Sequence, residues 1–244
     1  MPDKIFADQR LADVYDYFDS SERPDLDPYL KLAEDFNVQT VIDLGCGTGN
    51  LACKLAARGK EVIGVDPAAA SLHAAKRKTY ADMVKWVNGT IAELPDDVKT
   101  DLITVTGNAA QVFLTDEEWL STLRKCRSHL VRGGRLVFEV RNPEKEAWKS
   151  WQRESSSDVI DVPEKGKIET WSELLDVQYP LVSFRNTFVF HSDGTVITSE
   201  STLRFRSKTE VIDSLSEAHL IVEDVRDAPD RPGLEFVFIA RNPD

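Results

Sequence analysis

Two carboxylates and three glycines between residues 41 and 66 have the types and spacing of a ligand-binding loop. In VIDLGCGTGN, Asp43 stands two residues ahead of Gly45, and Gly47 and Gly49 follow in alternation. Glycine lets the backbone turn sharply and approach a ligand closely, because no Cβ is in the way. Asp66, at the end of the next apolar run EVIGVD, sits where a carboxylate accepts both hydroxyls of a ribose. The pattern is DxGxGxG, and the dinucleotide fingerprint GxGxxG fails because Asn50 occupies its third glycine position. A pyrophosphate needs backbone N–H groups and is repelled by a neighbouring acid, whereas a cationic ligand is attracted to it. The chemistry on offer is the binding of a positively charged, adenosine-bearing ligand. The competing reading is a glycine-rich turn in which Asp66 merely caps a helix beginning at Pro67.

The elements that must position these residues follow from the hydrophobic pattern. Val41, Ile42 and Leu44 read as a buried strand, Leu51 to Arg58 as a helix with Gly59 at its C-terminal cap, and Glu61 to Val65 as a second strand. Strand, loop, helix and strand in this order form the first half of a nucleotide-binding α/β sheet. Ala68 to Lys78 predicts a helix, Val84 to Val87 a third strand and Asp101 to Thr106 a fourth, leaving through GNAAQVFL. Thr115 to Leu130 predicts an amphipathic helix opened by a Thr115/Glu118 capping box and ended by Gly133 and Gly134. Arg135 to Val140 supplies a fifth strand, followed by Arg141, Asn142 and Pro143.

With Asp43, the glycine triplet and Asp66 in this frame, the chain resembles the class I S-adenosylmethionine-dependent methyltransferases at their motif I. The resemblance implies S-adenosyl-L-methionine as cofactor. It gives Asp43 and the loop Gly45, Cys46, Gly47 and Gly49 the methionine end, and Asp66 with Pro67 the ribose. Thr90 and Ile91 fall where the family contacts adenine, with Thr90 in place of its usual acid and Glu93 further on. Gly107 falls beside the methionine ammonium. GN after the fourth strand, RN after the fifth and a long insertion beyond resemble the glycine N-methyltransferase-like small-molecule branch. That narrower resemblance gives Asn108 the positioning of an acceptor amine and Arg141 the binding of a substrate carboxylate, which a guanidinium grips bidentately. Asn108 can instead simply make a turn, and Arg141 can pair structurally with Glu139 or Asp43.

The implied fold is an α/β Rossmann-like sheet, mostly parallel with an antiparallel last strand, carrying an inserted antiparallel β unit after the fifth strand. Four segments are expected: 1–36 as an N-terminal helical lid, 37–142 as the cofactor-binding core, 143–207 as the insertion and 208–244 as completion of the core. In the lid, Leu11 to Phe18 and Tyr29 to Phe36 have helical spacing on either side of the SSERPDLDP turn. Tyr15, Tyr17 and Phe18 either face the substrate or pack the lid. In the insertion, Trp148 and Trp151 sit on a short helix, RESSSDV reads as a loop, and Lys167 to Leu174, Leu181 to His191 and Val196 to Arg206 read as strands. Ser192-Asp193-Gly194 turns the last two into a hairpin. A unit this long is functional, as an active-site roof or a homodimer surface. Lys208 to Leu215 predicts the last helix, and Ile221 to Val225 and Leu234 to Ala240 the closing strands.

Composition bounds the function. A net charge of −12 over 244 residues disfavours a nucleic-acid footprint. Three cysteines without metal or disulfide spacing suit a reducing compartment, and no apolar window reaches membrane-span length, so a soluble cytoplasmic protein is expected. No metal site is expected. The activity implied is methyl transfer to an amine or hydroxyl of a small molecule. None of the histidines His73, His129, His191 and His219 stands out as a base. The rival classes are a nucleic-acid methyltransferase, for which no basic channel or NPPY-like motif is present, and a non-catalytic S-adenosylmethionine or S-adenosylhomocysteine sensor.

Overall fold

The computed structural model describes residues 2–18 and 23–243. Its larger sheet contains β1 (Thr40–Leu44), β2 (Glu61–Asp66), β3 (Val84–Asn88), β4 (Thr100–Val105) and β5 (Leu130–Arg141), with β10 (Ile221–Asp227) and β11 (Glu235–Arg241). The order is β10-β11-β5-β4-β1-β2-β3, parallel from β5 to β3 and antiparallel where β11 joins β5 and β10. The smaller sheet, in the order β6-β7-β8-β9, is antiparallel and comprises β6 (Asp158–Val162), β7 (Gly166–Gln178), β8 (Leu181–Phe190) and β9 (Thr195–Arg204). The helices are α1 (Lys4–Ala7), α2 (Gln9–Ala12), α3 (Asp27–Asp35), α4 (Asn50–Ala56), α5 (Ala69–Ala75), α6 (Asp116–His129), α7 (Arg153–Ser156) and α8 (Lys208–Glu217).

Alternation along the strands sorts the core onto two faces. Ile42, Leu44, Val65, Ile103 and Phe138 pack on one side with Trp119 and Leu123 of α6 and Val211 and Leu215 of α8. Val41, Val62, Leu102 and Val137 pack on the other with Leu30 and Ala33 of α3 and Leu51 and Leu55 of α4. The central strands are buried on both faces, which is why they read as continuous apolar runs. The Thr115/Glu118 capping box forms, and a second one, Ser207 with Glu210, opens α8.

Several expectations are corrected. The helix over Leu11 to Phe18 is replaced by α2 and a 3-10 turn at Tyr15–Phe18, because Asp8 caps α2 early and Leu11 and Val14 turn into the smaller sheet. Residues 20–22 of the expected SSERPDLDP turn lie outside the described residues, and Pro24–Leu26 form a 3-10 turn. Gly133 and Gly134 do not end α6. The helix stops at His129 and the glycines lie inside β5, where a Cβ on Gly134 would stand 3.0–3.2 Å from backbone oxygens of Val131, Asp101 and Thr100. They accommodate the register shift between Thr100 and Leu102 on β4. RESSSDV is a short helix leading into β6, a strand without a clear alternation signal.

The two sheets are joined through the N-terminal segment. Leu11 and Val14 pack with Val162, Ile168, Phe188, Phe190 and Ile197, and Phe18 stacks at 5.4 Å from Phe188. Arg10 grips Asp193 through two hydrogen bonds and lies over the Phe190 ring. On the other side, Ser71 donates to the Phe6 carbonyl and Arg77 pairs with Asp13, tying the same segment to α5. Phe188→Ala, which empties the middle of this joint, is expected to cost about 3–5 kcal/mol of unfolding free energy in urea titrations. An unchanged midpoint would show that the segment is not anchored there.

Candidate active site

The carboxyl ends of β1, β2, β4 and β5 bring the sequence-selected residues to one edge of the larger sheet. Gly45, Gly47 and Gly49 all have positive φ, the region open to glycine without strain. Their roles differ. A Cβ on Gly49 would strike Trp86 at 2.5 Å and Ala75 at 2.9 Å, so this glycine is required by packing. Gly47 and Gly107 have nothing within 4 Å of the corresponding point, so their backbones border open space. The Gly47 N–H donates to Asp66 at 2.8 Å, and the other Asp66 oxygen accepts from Ala68 N–H at 2.8 Å. Asp66 thus couples the glycine loop to the start of α5, just after Pro67, and burial raises its pKa.

Asp43 lies beneath the loop, 1% exposed. One of its oxygens accepts from the Thr104 hydroxyl at 2.9 Å, and the other has no hydrogen-bond partner. Burial, with the nearby Asp66 charge adding to it, pushes Asp43 up to about 7. Cys46 is buried beside the glycine loop and its thiol is raised by burial, so it is a packing residue rather than a nucleophile. Thr90 accepts from Ala92 N–H while its hydroxyl and N–H donate to Glu93, so both side chains close a capping box at the β3 exit. Ile91 is buried in the core, which leaves its backbone as the only part available to a ligand.

At the β4 exit, Asn108 takes the left-handed conformation, φ 59°, and is 3% exposed. Its amide nitrogen donates to Glu235 at 2.7 Å, and its Oδ1 is buried without a partner. Glu139 accepts the N–H groups of Gly107 at 2.6 Å and Asn108 at 3.1 Å. Burial, followed by repulsion from Glu235, raises Glu139 to about 7. Glu235 is held in turn by Arg231 at 2.9 Å. Glu139 and Glu235 escaped notice as site residues, although an acid within each of the apolar runs LVFEV and LEFVFIA was the available signal.

Arg141 pairs with neither Glu139 nor Asp43. Its guanidinium donates to the neutral amide of Gln111 at 3.0 Å and lies 5.8 Å from the Trp151 ring centroid. Burial lowers its pKa, and Glu235, Glu139 and the Tyr15 phenol act against that effect. Trp148, by contrast, is buried edge-on against Phe205 as core. The N-terminal segment latches onto the glycine loop: Asp16 accepts from Thr48 at 2.6 Å and Asn50 at 2.9 Å and pairs with Lys78, which also bonds Asn50. Of the histidines, His129 is bound to the Val98 carbonyl, His73 to Gln9 and His191 to Glu169, while His219 follows α8.

This donor set fits a cationic, nucleoside-bearing ligand. The Gly47 and Gly107 backbones are open, the buried Asp43, Asp66 and Glu139 have no cation at salt-bridge distance among the described residues, and Asp66 stands at the β2 end. Fold and site together define a Rossmann-like transferase core that binds a charged adenosine derivative. A methyltransferase domain model matches residues 41–134. An uncharacterised methyltransferase of Bacillus licheniformis is 30% identical over 154 residues, covering 63% of this chain and 68% of that protein. The cypemycin N-terminal methyltransferase of a Streptomyces species is 30% identical over 145 residues, and the chain spans 59% of its length. The crystal structure of a sugar N-methyltransferase from Streptoalloteichus superposes with a TM-score of 0.74 at 15% identity, covering 95% of this chain and 93% of that one. The chain belongs to the class I S-adenosylmethionine-dependent methyltransferases, and its cofactor is S-adenosyl-L-methionine. No helix among the described residues is long and apolar enough to cross a membrane.

The two glycine classes predict separable phenotypes. Gly47→Ala adds a methyl group into open space and is expected to weaken S-adenosylmethionine binding at least tenfold in calorimetry, with about 1–2 kcal/mol of backbone strain in stability. Gly49→Ala forces Trp86 to move and is expected to destabilise the fold more strongly than Gly47→Ala. Cofactor binding is also expected to depend on pH. Asp43 and Glu139, raised from ordinary values of 3.8 and 4.5 to about 7, hold protons in the free protein that the unfolded chain has released, so stability falls as pH rises toward 7. A cation favours their ionised forms. S-adenosylmethionine affinity should therefore rise with pH up to about 7, with proton release measurable in buffers of different ionisation enthalpy. S-adenosylhomocysteine, whose sulfur is neutral, should show a shallower slope.

Proposed function

We propose that this methyltransferase acts on the amine of a small molecule that also carries an anionic group, a carboxylate in the simplest case. The observation that carries this reading is Arg141: a half-buried guanidinium near Trp151, whose hydrogen-bonding side-chain partner among the described residues is the neutral Gln111. Such a charge is costly unless an anion meets it, and its fork matches a carboxylate. An amine acceptor is supported by the histidines, all of which are engaged or placed away from the β4 and β5 exits. The names of two of the proteins compared above point the same way, one an N-terminal and one a sugar N-methyltransferase.

When bound, the cofactor supplies an electrophilic methyl group already activated by sulfonium. The chain's own residues then align and desolvate. Arg141 holds the acceptor's anionic end. Asn108 Oδ1 would accept an N–H from the acceptor amine and so orient its lone pair for attack, and the proton the amine loses on methylation would leave to solvent. Asp43, Asp66 and the loop Gly45 to Gly49 bind the cofactor, with Glu139 keeping the Gly107–Asn108 turn in place. Within this scheme residues 1–36 are the lid, 37–142 and 208–244 the core, and 143–207 the roof over the acceptor.

The test is a screen of carboxylate-bearing amines, their methyl esters and matched alcohols, with S-adenosylhomocysteine formation as readout. Free acids are expected to be methylated and esters to be poor acceptors. Arg141→Ala should raise the acceptor KM at least tenfold while cofactor affinity stays within twofold, and Arg141→Lys should restore only part of the loss. Equal turnover of acids and esters would refute the anionic-group assignment.

A further inference from the structure

The inner face of the smaller sheet carries a polar lane where its surroundings are apolar. Register and alternation place Ser172 of β7, Asn186 of β8 and Ser199 of β9 side by side on one face. Along β8 this lane is flanked by Phe188 on one side and Phe184 on the other. Phe188 belongs to the cluster that seats the N-terminal segment and touches Phe18. Phe184 packs at 4.5 Å from Trp151, the ring beside Arg141. The lane therefore lies between the seat of the N-terminal segment and the Trp151–Arg141 contact, on the side that the Arg141 reading gives to the acceptor.

The three side chains are not equivalent. Ser199 is 1% exposed and its hydroxyl accepts from Ile5 N–H at 2.8 Å, so it is committed to holding the N-terminal segment. The Ser172 hydroxyl donates to Asn186 Oδ1 at 2.7 Å, which fixes the amide. The amide nitrogen of Asn186 then points its two N–H groups away from Ser172, and neither has a partner among the described residues. A fixed, half-buried donor between two aromatic flanks is held ready for an oxygen of a ligand.

We propose that Asn186, oriented by Ser172, is a specificity-determining residue that donates to a hydroxyl or carbonyl oxygen on the acceptor, at the end remote from the methylated nitrogen. The substrate class is thereby narrowed to amines whose carbon skeleton bears oxygen as well as the anionic group. This rests on the Arg141 reading above. An acceptor without the oxygen would fill the space beside this half-buried donor and leave it unpaired, which is the source of the discrimination.

A matched pair of probes isolates the effect. Glucosaminate and norleucine are both six-carbon 2-amino acids, and only the first carries hydroxyl groups along its chain. Each is titrated calorimetrically into the full chain saturated with S-adenosylhomocysteine. Glucosaminate is expected to bind about tenfold more tightly, a ratio that falls to within twofold in Asn186→Leu. Ser172→Ala, which frees the amide to rotate without deleting it, should lose part of the preference. Unchanged S-adenosylhomocysteine affinity and melting temperature would show that both variants are folded. Equal affinity for the two probes, or a preference that survives in Asn186→Leu, would overturn the proposal while leaving Arg141 as the anion site. Binding of neither probe would overturn this proposal and the carboxylate reading together.

Discussion

The structure is organised by the cost of burying negative charge at one edge of a sheet. Asp43, Asp66 and Glu139 stand near the carboxyl ends of β1, β2 and β5, at one edge of the sheet, and all three are buried. Each is stabilised incompletely: Thr104 reaches one oxygen of Asp43, two N–H groups reach Asp66, and the β4 exit loop reaches Glu139. Their raised proton affinities are the expression of that shortfall. Under the proposed site assignment, a ligand bearing an ammonium and a sulfonium would supply the missing positive charge. The glycine loop serves this arrangement by bringing bare backbone over the acids.

Arg141 presents the complementary problem. It lies on β5 two residues beyond Glu139, on the same face of the strand, yet it is bound to a neutral amide. A cation near the acids is thereby kept out of salt-bridge contact with Glu139 and Asp43. Gln111 performs this separation: its Oε1 takes the guanidinium while its nitrogen is anchored to the Arg204 carbonyl at the base of the smaller sheet. The β5 exit is thereby coupled to the insertion.

The N-terminal segment ties the two sheets together. Asp16 binds Thr48 of the glycine loop together with Asn50 and Lys78, and Phe18 and Leu11 pack on the smaller sheet. One short stretch of chain thus bridges the glycine loop and the insertion.

Much of this was legible in local sequence. The succession of strands and helices in the core, the glycine loop after β1 and the Thr115/Glu118 cap depend on short-range patterns of glycine, apolar runs and capping pairs, which are physical properties of a few adjacent residues. The β5 glycines were misread because Gly-Gly after a helix usually ends it, and only the neighbouring β4 backbone requires them inside a strand. The break in the N-terminal helix likewise answers to the smaller sheet. By itself the sequence determined that the chain builds an α/β nucleotide fold with an acidic glycine loop. Tertiary structure alone decided that Asp43 is sealed beneath that loop, that Glu235 meets Asn108 across 127 residues, and that Arg141 is left without an acid. Those outcomes depend on desolvation and on contacts between distant strands, and neither is encoded in the spacing of neighbours along the chain.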